Sequence, residues 1–138
     1  MIDAFSSVPW VGVAAATLAY FVLGAAWFTP LFGKTWDRAV GVQRTSGQAF
    51  GPLYYLIPFF GSLVLALAIG VLVAALGLRS VGDAVVLGLV VGIGFSAGVS
   101  FTNAVMPVIP RPLLLGAVTG GYHVVGSVLA AVIIVLLA

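Results

Sequence analysis

Four apolar runs dominate this 138-residue chain, and each is about as long as a bilayer is thick. They cover residues 8–29, 52–76, 81–106 and 113–138. A helix of about 20 residues crosses a hydrocarbon core of about 30 Å. In lipid every backbone N–H and C=O must find its partner inside the segment, so a lone apolar run has to be helical. The chain therefore reads as all-α: one polytopic domain, 1–138, with four transmembrane helices and a short interfacial helix at 31–40. Composition agrees. Hydrophobic residues make up 63% and charged residues 6%, where soluble domains carry about 25% charged residues. Lipid must be the solvent for much of the surface.

The same numbers exclude several functions. A net charge of +2 is too small to point to nucleic acid. The absence of cysteine rules out disulfides, thiolate chemistry and Cys-ligated metal. One histidine beside three dispersed acidic residues makes a metal site unexpected. The first residues lack the positive charge that opens a signal peptide, so the first run is expected to stay as a span.

Punctuation marks the connections. Pro9 suits a first helical turn, with Ser6 or Ser7 as cap, and Pro30 is expected to end the first span. Trp10 and Trp27–Phe28 fit the two aromatic belts. In 31–40, Leu31, Phe32, Thr35, Trp36, Ala39 and Val40 share one face, and Lys34, Asp37 and Arg38 turn toward headgroups. Gly41 is the expected stop. Pro58 predicts a bend in the second span. Gly77 suits a left-handed C′ position, and Ser80 with Asp83 resembles a capping box. The third run carries two small-residue ridges, Gly88–Gly92–Ser96–Ser100 and Gly94–Gly98–Thr102. Small residues at this spacing let helices approach closely, which predicts the third span at the centre of the bundle. Gly116 and Gly120 repeat the pattern in the fourth run.

Helical rise places Tyr20, Ser62, Ser96 and His123 at nearly the same depth, close to the midplane. An ionisable residue there is expected to face the bundle interior and to have a partner. Tyr20, Ser62 and Ser96 are the candidates, with Thr119 one turn away. Two readings follow: a neutral histidine that ties helices together by hydrogen bonds, which we favour, or a polar cluster that binds a ligand or relays a proton. Asn103, near the end of the third run, can cap exposed carbonyls or bond Trp36 or Lys34, with contact to a ligand as the alternative. No pair of intramembrane carboxylates, phosphate loop or placed nucleophile and base is evident, so neither an enzyme nor a cofactor is expected. Lys34, Arg38, Arg44 and Arg111 flank one side of the spans and Arg79 the other. By the positive-inside rule both termini lie outside the cytoplasm.

The stretch Pro30-Leu31-Phe32-Gly33-Lys34-Thr35-Trp36, then Asn103, then Gly121-Tyr122-His123, resembles the domain-of-unknown-function family 1761, in order and spacing over nearly the whole chain. The resemblance implies a small, four-helix, bacterial membrane protein. It points to Phe32, Gly33, Lys34, Trp36, Asn103, Tyr122 and His123, and implies no substrate. The expected role is structural or accessory, in a lipid bilayer, as a homo-oligomer or part of a membrane complex. The alternative is an oligomeric carrier or channel for a small, weakly polar solute.

Overall fold

A computed structural model describes residues 3–45 and 47–138. It is 80% helical, with no strand among the described residues. Four helices are long and apolar enough to cross a membrane: α1 (Trp10–Leu31), α3 (Leu53–Leu76), α4 (Val81–Ala104) and α5 (Pro112–Leu136). The short α2 (Gly33–Val40) sits between the first two. A single 3₁₀ turn, Asp3–Ser7, precedes α1.

The local signals act as expected at three ends. Gly41 stops α2 with φ 82° and Gly77 stops α3 with φ 63°. At the start of α4 the Ser80 hydroxyl accepts from the Asp83 N–H (3.0 Å) and donates to the Asp83 carboxylate (2.7 Å). Two local expectations fail. Ser7 does not cap α1, because its hydroxyl turns back to the Ala4 carbonyl at 3.2 Å. Pro30 does not end α1. A proline ring crowds the carbonyl four residues back and supplies no N–H. The helix accommodates it by widening into a π-type turn over Trp27–Leu31, closed by Phe32 N–H on the Trp27 carbonyl at 2.7 Å.

The expected centre is also displaced. It is α5, and not α4, that packs against every other helix. Within the most apolar window of each helix, 50% of α5 is buried against 22% of α4. The α4 helix finds its substantial packing on α5 alone. Lipid and core are equally apolar, so apolar content cannot say which span is inside. Close approach of backbones decides it.

That approach runs in strict antiparallel register on both sides of α5. Against α1, Gly12 abuts Ile134, Gly126 abuts the Tyr20 ring and Gly24 abuts the Tyr122 phenol. Each step of eight or four along α1 is matched by the same step back along α5. Against α4, Gly88 abuts Val128, Gly92 abuts Val124, Gly120 abuts Ala97 and Gly116 abuts Phe101. Here α5 steps four, four, four, while α4 steps four, five, four. The additional residue falls inside Val90–Ala97, where α4 widens into a π-helical segment. A π-bulge is an α-helix with one residue inserted. In α4 it keeps small residues on the α5 seam above and below the insertion. The expected ridge Gly88–Gly92–Ser96–Ser100 therefore breaks after Gly92. The second ridge is unused, since a Cβ on Gly94 or Gly98 would meet nothing within 4 Å.

Candidate functional site

Where α1, α3 and α5 meet, an otherwise apolar interior holds a cluster of polar side chains. Tyr20 and Tyr122 are buried and cross edge to face, ring centroids 5.1 Å apart. Each ring lies on a glycine of the opposite helix. A Cβ on Gly126 would come within 2.6 Å of the Tyr20 ring, and one on Gly24 within 2.9 Å of the Tyr122 oxygen. Both pairs follow one pattern, a tyrosine followed four residues later by a glycine. Tyr20–Gly24 and Tyr122–Gly126 interlock because α1 and α5 are antiparallel.

The interlock positions the histidine. Tyr20 Oη and His123 Nδ1 lie 2.7 Å apart and share one proton, the donor being set by the imidazole tautomer. The Tyr122 hydroxyl donates to the Tyr20 backbone carbonyl at 3.3 Å. Ser62, 3% exposed, donates to the Pro58 carbonyl at 2.8 Å, and its oxygen lies near the Tyr122 phenol. Of the three partners expected for His123, Tyr20 is bonded to it directly. Ser62 joins the cluster through Tyr122, and Ser96 does not join it.

The physical reason for the Ser96 result is the π segment. It moves the α5-facing position from 96 to 97, so Ala97 fills the place assigned to Ser96. Ser96 contributes only its backbone carbonyl, to the Ser100 hydroxyl at 2.8 Å. Thr119 likewise spends its hydroxyl on the Leu115 carbonyl at 2.7 Å. Among the described residues no side chain except Tyr20 hydrogen-bonds the His123 ring. Among the described residues the site holds a phenol–imidazole pair with no carboxylate and no serine–histidine dyad. No three His, Cys, Asp or Glu side chains among the described residues are grouped to hold a metal.

One member of the cluster has no sequence signal of its own. Ser127 is fully buried, and its hydroxyl lies near the Tyr20 phenol without reaching hydrogen-bond geometry. It stands one helical turn beyond His123 on the same side of α5.

A second assembly lies at the α1–α2 junction. The Trp27 indole N–H donates to the Val118 carbonyl at 3.0 Å, and its ring packs on Phe32 with centroids 4.5 Å apart. Phe28 meets both Tyr122 and Trp36 edge to face. Arg44 holds the arrangement together. Its guanidinium bonds the Asp37 carboxylate at 2.7 Å and the Phe28 and Gly33 carbonyls at 3.1 Å each, and it sits 5.5 Å from the Trp36 ring. Five fixed donors suit it to such a junction. Gly33 is needed here, since a Cβ would lie 2.9 Å from the Phe28 carbonyl oxygen. In the sequence Arg44 reads only as one of the cations flanking one side of the spans. Its one readable signal was a single acid, Asp37, seven residues earlier.

The remaining expected residues fall outside both assemblies. Lys34 is exposed, and so is Asn103, which makes no bond to Trp36 or Lys34. The connection after α4 reaches α2 by backbone instead, through Arg111 N–H on the Ala39 carbonyl at 3.3 Å.

The model of one protein family matches residues 11–135; its description is "Protein of unknown function (DUF1761)". No curated protein and no solved structure matches the chain.

Proposed function

The chain belongs to the DUF1761 family, and from that premise we propose that it is a non-catalytic accessory protein of the membrane. It works by association, with itself or with another membrane protein, through α4. The observation that carries this reading is the position of α4. It is the least buried of the four spans, its substantial packing is on α5 alone, and a Cβ at Gly94 or Gly98 would meet nothing within 4 Å. In lipid, small residues at this spacing are where a further helix packs closely. A packed polar cluster that ties α1 to α5 by hydrogen bonds fits a scaffold.

Replacing both glycines, Gly94→Leu with Gly98→Leu, tests the reading. Cross-linking in native membranes should trap the parent chain in a dimer or a mixed complex. The double variant should keep its thermal stability and lose the cross-link. Cross-linking unchanged by the double variant contradicts the proposal.

The second reading, a carrier for a small, weakly polar solute, is favoured by one observation, the fully buried Ser127 hydroxyl beside Tyr20 and His123. Cysteine at Ser127, probed with a water-soluble thiol reagent, separates the two. The accessory role expects protection, and labelling supports the carrier.

We place the protein in a bacterial inner membrane with both termini outside the cytoplasm. One end of the bundle gathers Ser7, Gly77–Arg79 and Leu137–Ala138. Lys34, Arg38, Arg44 and Arg111 lie toward the other end. The positive-inside rule counts Lys and Arg whether or not an acid pairs with them, so the Arg44–Asp37 ion pair leaves the bias intact. A C-terminal reporter that works only in the cytoplasm should stay silent, and an active one reverses the orientation.

A further inference from the structure

The widened stretch Val90–Ala97 of α4 stores one residue, and the part of α4 beyond it has two sides fit to face α5. The side in use is apolar. Ala97 meets Gly120, Phe101 meets Gly116, and Ala104 is buried. One position earlier along the chain stand Ser96, Ser100 and Asn103, at the same spacing, and all three are polar. We propose that α4 is a two-register helix. Release of the stored residue turns its second half and exchanges the apolar seam on α5 for the polar one. The inference goes beyond the accessory role and does not depend on it.

Helix geometry supplies the exchange. One residue of an α-helix is a turn of about 100° and a rise of about 1.5 Å. When Val90–Ala97 rewinds as α-helix, each residue beyond it takes the place of the next. Ser96 then stands four after Gly92, as Gly92 stands four after Gly88. It moves to Gly120, Ser100 moves to Gly116, and Asn103 enters the position of Ala104. Glycine at 116 and 120 has no Cβ to refuse either set. The same move brings the Ser96 hydroxyl within one helical turn of His123, whose ring bonds no other side chain than Tyr20 among the described residues. The polar seam joins α4 to the Tyr20–His123 pair, from which Ala97 separates it in the apolar register.

The surroundings leave room for the turn. The first half of α4 is anchored by its Ser80–Asp83 cap and by Gly88 and Gly92 against α5. The second half, Gly98–Ala104, has its substantial packing on α5 alone. An open apolar cleft of about 740 Å³, with Gly61 of α3 and Phe95 of α4 in its lining, separates α4 from α3. Val105, Met106 and Val108, just past the end of α4, are exposed, so they can follow the rise. Packed elements with two discrete arrangements are what conformational switches are built from.

The cysteine-free chain gives the test. Ala97→Cys with Gly120→Cys reports the apolar register, and Ser96→Cys with Gly120→Cys reports the polar one. Both pairs are oxidised in lipid nanodiscs, in the full chain and in a chain lacking Ile93, an exposed residue of the widened stretch. Without Ile93 no residue is stored, and Ala97 stands permanently four after Gly92. The full chain should form either disulfide within one molecule, and the shortened chain only the one from Ala97. A Ser96 pair that stays reduced in the full chain, or that closes as fast without Ile93, overturns the proposal. Should the shortened chain form neither bond, carbon-13 relaxation dispersion on the alanine methyl groups of the full chain decides, because helix register shifts fall in the microsecond-to-millisecond range. Exchange at Ala97 that is missing at the fully buried Ala130 supports two registers. No exchange at Ala97, or equal exchange at Ala130, overturns them.

Discussion

At the scale of single residues the molecule rests on two rings lying on two glycines. Tyr20 fills the space that Gly126 leaves, and Tyr122 the space that Gly24 leaves. Gly126→Ala therefore pushes a methyl group into a buried aromatic ring, and overpacking of this kind costs about 1–3 kcal/mol. Reversible unfolding in mixed micelles should show that loss, whereas Gly94→Ala, in open space, should show none. The hydroxyl of Tyr20 is worth less than its ring. Tyr20→Phe removes the 2.7 Å contact to His123, and side-chain hydrogen bonds between spans average about 0.6 kcal/mol with a maximum near 1.7. A loss of that size in the same assay is expected. A loss above about 3 kcal/mol means the phenol does more than tie two helices together. These pairings were only partly legible beforehand. Helical rise put Tyr20 and His123 at one depth, and that sufficed. The repeated Tyr-to-Gly spacing of four was readable too, but its meaning depends on α1 and α5 being neighbours, which no local pattern states.

At the scale of elements the informative parts are the two wide turns and the arginine junction. The π segment of α4 absorbs one residue relative to α5, so removing one residue there should be tolerated. Deleting Gly94 shortens the step from Gly92 to Ala97 to four and leaves both halves of the seam aligned. Deleting Val125, which is also exposed, shifts α5 out of register with α1 and α4 together. Thermal unfolding should find the first deletion folded and the second lost. The reverse ranking rules out the inserted-residue account. The Arg44 junction predicts a different loss. Arg44→Lys keeps the charge but cannot reach Asp37 and two carbonyls at once. Hydrogen bonds to charged groups contribute about 1.5–3 kcal/mol, so proteolysis of the 41–51 segment should speed up while the four spans stay intact. Caps such as Gly41, Gly77 and Ser80–Asp83 were legible because each involves only near neighbours. Pro30 and Ser96 were not. A proline can stop a helix or widen it, and a spacing of four fails silently wherever a helix gains a residue.

At the scale of the whole molecule the arrangement is a hub with an open arm. α5 packs on every other helix, and α4 is attached to it along a single seam. Length and apolar content were enough to count four helices long enough to cross a membrane. They were not enough to order them, because a lipid-facing glycine and a packed glycine look alike in sequence. Gly94 and Gly98 read as strongly as Gly88 and Gly92, and only the latter pair meets a neighbour within the chain. The cysteine-free chain allows a direct measurement of the ordering. One pair of cysteines replaces Ala97 and Gly120 across the α4–α5 seam, where a Cβ on Gly120 lies 3.3 Å from that of Ala97, close to disulfide geometry. A second pair replaces Gly61 and Phe95 across the cleft. Under mild oxidation the seam pair should close within one chain and the cleft pair should stay reduced. Rapid closure of the cleft pair with an open seam pair would mean that α4 packs on α3, contradicting the hub.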